Sequence, residues 1–434
     1  MKFSGIIAAV LLAGIAAPAG AQKAEEVKLA WDVDFEFTFD NRESDAGGNA
    51  FIASKTLFAA KLTPSVGLDI RQNRNIDHRL MFGIEAIKNM GDNLPSEEES
   101  IESWKLFKEF TMYYRLRARV GKTRYEGYAG IFPRYFTGTG DWRPNSVRAG
   151  EPSDFADYRP YNSAFLSEEK IFMDNNLDGV LLKAVRPRSY YEVGVNWMGM
   201  IADKRRERFE FFSTGRSDVL GWLRLGWTVS LYHYANSATV RGVVDNYFLE
   251  PFVQLRFGEY AGFQELSVRL SWLQRFNRDR RLGVEWDFAR GSMLTLDARK
   301  WNVGVHNETY CGTSLMPYYL DRDAGGNLYG GDLYFGSPFF RVHEEAGIPW
   351  SDFGAYDRLM FYWQPHISDF LDLRLSVVFH YQGDRSGSGG NFDPSFQGWQ
   401  QMLSLVFNLD KARESRWKAV RSSRRVPRTF DLYL

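Results

Sequence analysis

From Leu29 to Asn41 the chain reads LAWDVDFEFTFDN, and the alternation is nearly complete. Leu29, Trp31, Val33, Phe35, Phe37 and Phe39 are apolar, while Ala30, Asp32, Asp34, Glu36, Thr38 and Asp40 between them are mostly acidic. A period of two marks a β-strand, because successive side chains point to opposite faces. One such strand suits a soluble sandwich, with its apolar face to a core and its charged face to water. The rest of the chain decides between that and other sheets.

The same pattern recurs to the end. It predicts sixteen strands, over 29–40, 57–71, 79–88, 108–120, 124–134, 176–185, 190–200, 208–213, 221–234, 246–257, 264–275, 281–289, 294–306, 357–366, 371–382 and 398–409. Several run to about ten residues or more, beyond the ~5–6 usual in globular sheets and close to the ~9–11 needed to cross a bilayer. Connections after odd-numbered strands tend to be long (41–56, 89–107, 135–175, 307–356, 383–397), whereas those after even-numbered strands are tight, as at Gly121-Lys122-Thr123. Long loops on one rim and short turns on the other mark a transmembrane antiparallel up-and-down β-barrel, here of about sixteen strands within a range of 14–18. An even strand number puts both ends of the barrel on the short-turn side, expected to be periplasmic. A sandwich would need other layers to cover so many long strands, and its connections would not alternate this way.

The start of the chain supports export. MKFSGIIAAVLLAGIAAPAGA has a basic Lys2, an apolar run from Ile6 to Ala17 and a small-residue cleavage site at Ala19-Gly20-Ala21. Residues 1–21 therefore read as a signal peptide, 22–409 as the barrel and 410–434 as a basic periplasmic tail. No cysteine lies near the cleavage site, which argues against a lipoprotein, and the single Cys311 rules out an intramolecular disulfide. Lys plus Arg equals Asp plus Glu at 54 each, so net charge points to no nucleic acid. Aromatic residues make up 16% of the chain, a share that fits a lipid-facing surface spread over many short strands. The tail DKARESRWKAVRSSRRVPR reads as a solvated periplasmic segment, with contact to anionic headgroups or cell-wall polymer as the alternative.

Charge on the second face is the main candidate chemistry. By parity, Asp32, Asp34, Glu36, Asp40, Lys61, Arg71, Arg115, Arg117, Arg119 and Arg374 face the lumen. Arg115, Arg117 and Arg119 form a one-sign ladder, with the acidic row of the first strand three strands away. Such opposed rows would set up a transverse field that screens solutes. The competing reading is cross-strand ion pairing that satisfies a packed lumen. Ser376 and His380 share the inner face but stand roughly 13 Å apart at ~3.3 Å per residue, too far for a catalytic dyad. No nucleophile elbow, zinc motif or spaced Cys/His cluster is present, so the expectation is a non-enzyme with no cofactor or metal. The long loops 135–175 and 307–356 carry Trp142, Tyr158, Tyr161, Tyr318, Tyr319, Tyr329 and Tyr334, which argue for packing and, if turned inward, for a narrowed pore.

AGIFPR at 129–134, FMDNNLDGVLL at 172–182, YYEVGVNWMG at 190–199 and YGGDLYFGSPFFR at 329–341 resemble a group of poorly characterised outer-membrane β-barrel proteins of Bacteroidota. The resemblance implies fold and location but no substrate. The sequence thus leads to a porin-like passive channel for small hydrophilic solutes in a Gram-negative outer membrane. Its expected partners are outer-membrane lipid, lipopolysaccharide and the barrel-assembly machinery. A non-conducting barrel whose loops bind a partner or glycan is the first alternative, and a barrel enzyme acting on lipid or lipopolysaccharide the second.

Overall fold

The computed structural model describes residues 25–44, 55–90, 107–138, 161–199, 207–235, 242–257, 262–280, 283–319, 333–341, 353–368, 370–384 and 393–409. The expected signal peptide and basic tail lie outside the described residues, as do Trp142, Tyr158 and Tyr329.

The strands in chain order are β1 (Glu26–Ser44), β2 (Lys55–Asn73), β3 (Ile76–Asn89), β4 (Phe107–Val120), β5 (Thr123–Pro133), β6 (Asn176–Arg186), β7 (Ser189–Gly199) and β8 (Arg208–Asp218). They continue as β9 (Leu223–Tyr234), β10 (Val244–Arg256), β11 (Glu265–Asp279), β12 (Asp287–Lys300), β13 (Val303–Gly312), β14 (Gly354–Trp363), β15 (His366–Ser368), β16 (Leu371–Asp384) and β17 (Asp393–Asn408). Each pairs antiparallel with its neighbours in sequence, and β1 also pairs with β17, Phe35 opposite Phe407, so the sheet closes on itself. The three-residue β15 continues β14 past a bulge, and both pair with β16. The result is a closed antiparallel barrel of sixteen staves. Closure leaves no unpaired edge, which a chain lacking water for its backbone groups requires.

Facing follows the alternation. On β1, Asp34, Glu36 and Asp40 are buried toward the interior, while Leu29 is 72% exposed on the outside. The outer wall carries large exposed side chains around its circumference, including Phe82, Phe110, Val253, Leu270, Trp272 and Phe361. Across β1 and β2, Phe58 meets Phe37 and Phe39 edge-on at 5.2 and 5.9 Å, so the outer face is cemented by ring contacts between strands.

Three stretches depart from the sequence expectation. The strands expected at 281–289 and 294–306 are instead β12 over Asp287–Lys300 and β13 over Val303–Gly312. They are joined at Trp301 and Asn302, whose φ values are +52° and +68°. A two-residue hairpin needs both central residues in the left-handed region, and that turn is usually written with Gly, Asn or Asp. With Trp in the first place the signal is masked, and the apolar alternation reads straight through it as one strand. The short eighth strand is also longer than expected, reaching Asp218. Its outer positions there are Ser213, Gly215 and Ser217, so the apolar signal lapses. A Cβ at Gly215 would stand 2.6 Å from the Trp227 ring, so the missing side chain leaves room for the neighbouring indole. A six-residue helix, Glu168–Met173, capped by the Ser167 hydroxyl, also stands where no helical period was legible.

Arginine in place of Phe35 should impair assembly, since a cation on the lipid face at mid-depth costs roughly 2–4 kcal/mol. Thr38→Asn, three residues along β1 and on the inner face by the same alternation as Glu36, should assemble normally. The fraction of heat-modifiable folded species on unboiled gels measures both. Equal loss in the two variants would show that the faces of β1 are misassigned.

Candidate functional site

The barrel interior holds two of its own connections. The β5–β6 connection (134–175) is described at 134–138 and 161–175, and the β13–β14 connection (313–353) at 313–319, 333–341 and 353. Of the loop aromatics that the sequence expected to pack, Tyr161, Tyr318 and Tyr334 are buried and Tyr319 packs partly buried against them. Tyr161, Phe165, Leu166, Ile171, Leu315, Tyr318, Tyr334 and Phe340 form one buried cluster with inward residues of the wall, among them Tyr232, Phe248, Leu273, Met293, Tyr310 and Tyr356. The two connections also bond to each other. Ser167 N donates to Phe335 O at 2.8 Å, and Ser337 N donates to Ser163 O at 2.8 Å.

Backbone placed inside a barrel loses water, so its polar groups need partners. The wall supplies them. Lys61 donates to Phe172 O at 3.2 Å, Lys183 to Phe136 O at 2.5 Å, Arg275 to Ala164 O at 3.0 Å and Asn246 to Leu333 O at 2.6 Å. Glu192 accepts from Gly138 N at 2.7 Å, and Glu308 accepts from the Ser163 hydroxyl. Ion pairs complete the seat: Arg134–Glu210 at 3.1 Å, Arg358–Glu168 at 3.1 Å, Arg42–Glu169 at 3.1 Å and Lys108–Asp174 at 3.2 Å. Burial pushes the Asp174 carboxyl up, but Lys170 and Lys108 outweigh it and hold it down at about 2, so this tether stays charged well into acid.

The filling is uneven around the barrel. Against β9–β14 the connections pack as an apolar core. Among the described residues, two polar chambers lie along β1–β8, beside a smaller apolar cluster of Met81, Tyr113, Tyr128, Phe132, Leu181 and Phe212. One has a volume of about 180 Å³ and is lined by Arg134, Lys170, Asp174, Asp178, Asn196 and Arg208, among others. The other, of about 30 Å³, lies against Asp32, Asp34, Glu36, Lys61, Ser65 and Tyr113. Asn176 belongs to both linings and donates to Glu109 at 2.6 Å.

The sequence-selected residues separate into three groups. Asp32, Asp34, Glu36 and Lys61 line the smaller chamber. There Lys61 pairs with Glu36 at 3.0 Å, and Asn408 donates to Asp34 at 2.5 Å across the closing seam. Asp40 and Arg374 face inward but are buried in the wall. Asp40 holds Arg42 at 2.7 Å, and the Arg374 guanidinium lies 4.7 Å from the centre of the Tyr362 ring. Arg71, Arg115, Arg117 and Arg119 occupy the short-turn end. Arg115 pairs with Asp77 at 3.0 Å and Arg117 with Glu126 at 3.0 Å, while Arg119 is exposed. The arginine row therefore pairs with carboxylates on the two adjacent strands rather than facing the acidic row of β1. Of the two readings the sequence left open, cross-strand pairing describes this ladder.

Several wall residues that seat the connections were not singled out from sequence. Lys183, Glu192 and Glu210 have inward parity in expected strands, so alternation marked their face but not their partners. Glu308 lay beyond the expected end of its strand at 306, because the Trp301-Asn302 turn was missed. Arg134 stands past the end of β5 in a 3-10 turn, where strand parity carries no information.

No family model and no curated protein matches the chain. Among solved structures it is similar to OmpT, an outer membrane protein of Vibrio cholerae, at 6% identity over 90% of this chain and 100% of that one, with a TM-score of 0.46. It is also similar to a triple-mutant porin of Rhodopseudomonas blastica, at 9% identity over 88% of this chain and 100% of that one, with a TM-score of 0.39. The strand pairing settles the class. The chain is an outer-membrane-type β-barrel.

Arg134 and Glu210 are both nearly inaccessible, with side chains 5% and 0% exposed. Arg134→Met would strand the Glu210 carboxylate without its cation, a loss of about 3–5 kcal/mol. The double variant Arg134→Met/Glu210→Gln should recover most of it. Thermal unfolding of the barrel in detergent reads both. A single variant as stable as wild type would mean that this pair does not seat the connection.

Proposed function

We propose that the barrel passes small hydrophilic solutes by diffusion along one side of a partly filled lumen, in a Gram-negative outer membrane with its short turns toward the periplasm. One observation carries this reading: two polar chambers beside β1–β8 share Asn176, while the larger apolar cluster of the two connections lies against β9–β14. A route so placed would be narrow, and it would admit ions and small polar molecules rather than oligomers. Toward the short-turn end it meets Arg71, Arg117, Arg119, Arg124, Arg216 and Arg256 on the inner face, balanced by Asp69, Asp77, Glu126 and Asp218. Surplus positive charge in a water-filled mouth favours anions and weakens as salt screens it.

The apolar core inside the barrel supports a second reading, a barrel that does not conduct and presents its long loops to a partner or glycan. Planar-bilayer recording separates the two. The first expects small, steady single-channel steps that fall when Asn176→Trp fills the junction of the chambers. A folded wild-type barrel that never conducts favours the second.

Selectivity tests the mouth. Glu126 pairs with Arg124 at 2.8 Å and Lys183 at 3.5 Å as well as with Arg117, so losing Arg117 does not isolate it. Arg117→Gln/Arg119→Gln should therefore fold and should shift the reversal potential toward cations, more at low salt than at high. Unchanged selectivity in a folded double variant would take this mouth out of the conduction path.

A further inference from the structure

The outer face of the barrel carries one cluster that the lumen does not explain. Asp245 on β10 has outward parity, yet it is only 1% exposed, because cations from neighbouring elements close over it. Its Oδ2 accepts from Nε and Nη2 of Arg278 at 3.0 and 2.6 Å, and from Nε and Nη2 of Arg280 at 3.1 and 2.9 Å. Its Oδ1 stands 2.9 Å from His233 Nδ1. One carboxylate thus organises two guanidinium groups and leaves a net positive charge. The Nη1 ends of both arginines make no hydrogen bond among the described residues, and the Arg280 side chain is 46% exposed.

The surroundings say what faces this charge. Arg278 lies 4.2 Å from the centre of the Trp286 ring, Trp286 meets Tyr247 at 5.2 Å, and His233 packs on Phe209, which stacks on Trp197. Below, on the same face, Leu231, Leu249, Val253 and Leu270 are exposed. Asp245 lies eleven residues up β10 from Arg256. That is roughly 28 Å above the short turns, for strands rising ~3.3 Å per residue and tilted by ~40°. A belt of aliphatic side chains capped by indole and phenol rings, with cations above them, sits where acyl chains give way to headgroups.

We propose that Arg278 and Arg280, held by Asp245, bind a headgroup phosphate of a lipid in the leaflet at the long-loop rim, with the acyl chains of that lipid against the belt below. Guanidinium forks suit phosphate oxygens, and here Asp245 fixes both forks in advance, so little side-chain freedom is lost on binding. The cluster is on the outer wall, so the inference does not depend on whether the lumen conducts.

Native mass spectrometry of the full chain released from detergent tests it, with a bisphosphorylated lipid A-type glycolipid, the dephosphorylated form of the same lipid, and inorganic phosphate as probes. The wild type should retain the phosphorylated lipid and bind the dephosphorylated form at least tenfold more weakly. Arg280→Gln keeps Arg278 and His233 on Asp245, so it should fold, and it should lose roughly tenfold in affinity, as expected for one charge-assisted hydrogen bond. Asp245→Asn keeps both arginines but loosens their hold, so it should bind more weakly than wild type while keeping its preference for the phosphorylated lipid; a variant that lost that preference would overturn the proposal. Lys122→Gln, at an exposed turn on the opposite rim, should change nothing. Equal binding of the dephosphorylated lipid, or equal losses in Arg280→Gln and Lys122→Gln, would overturn the proposal. Inorganic phosphate displacing the lipid at matching concentrations would identify free phosphate as the ligand and overturn the lipid assignment.

Discussion

Loop backbone inside a closed barrel has no water to bond with, and that constraint organises the interior. An open lumen needs no partner for its wall charges except solvent. A lumen entered by two connections must offer a donor or acceptor wherever a carbonyl or amide arrives. Lys61, Lys183, Arg275 and Asn246 meet carbonyls, while Glu192 and Glu308 meet an amide and a hydroxyl. Long cationic side chains suit the task because the carbonyls they reach stand away from the wall. The charged inner face that looked like pore lining is thus in large part the seat of the connections.

The same constraint explains why so many of these charges come in pairs. A cation that only met a carbonyl would remain an uncompensated buried charge. Lys61 therefore also meets Glu36, and Lys183 meets Glu126. Pairs of this kind add little net stability against an apolar substitute, because desolvation consumes much of the attraction. Their effect is on uniqueness, since a connection displaced by one residue would leave several buried charges alone at once. The apolar cluster then supplies the burial that holds the connections in place.

Most of the outer wall was readable because lipid asks for apolar side chains at every second position, and the reading lapsed where small or polar residues such as Ser213, Gly215 and Ser217 stand there. The inner face obeys no comparable rule. Parity located Asp34, Glu36, Asp40, Lys61 and Arg374 on it, but whether each meets water or a folded loop depends on where residues 134–138 and 161–175 run. Nothing in the β-strand period encodes that path. The loop aromatics such as Tyr161, Tyr318 and Tyr334 were its one trace, and they signalled packing without giving its place. The misplaced β12 and β13 had a different origin. There a turn that normally announces itself with glycine was built from Trp301 and Asn302, and two strands of opposite parity merged into one apparent alternation.

The uneven filling follows from which connections enter. Both leave the wall at well-separated points, β5–β6 and β13–β14, and they join through Ser163, Ser167, Phe335 and Ser337. Their joint core leans on β9–β14, where the inward positions include Tyr232, Phe248, Leu273, Met293 and Tyr356. Facing β1–β8, a second apolar cluster of Met81, Tyr113, Tyr128, Phe132, Leu181 and Phe212 stands beside short or charged inward side chains, among them Asp32, Asp34, Thr63, Ser65, Thr111, Asn176 and Asn196. Short polar side chains opposite a fixed loop leave space that water can occupy, whereas large apolar ones do not. Water-sized space therefore collects locally, where short polar side chains such as Thr63, Ser65 and Asn176 line it, rather than along one whole side of the wall.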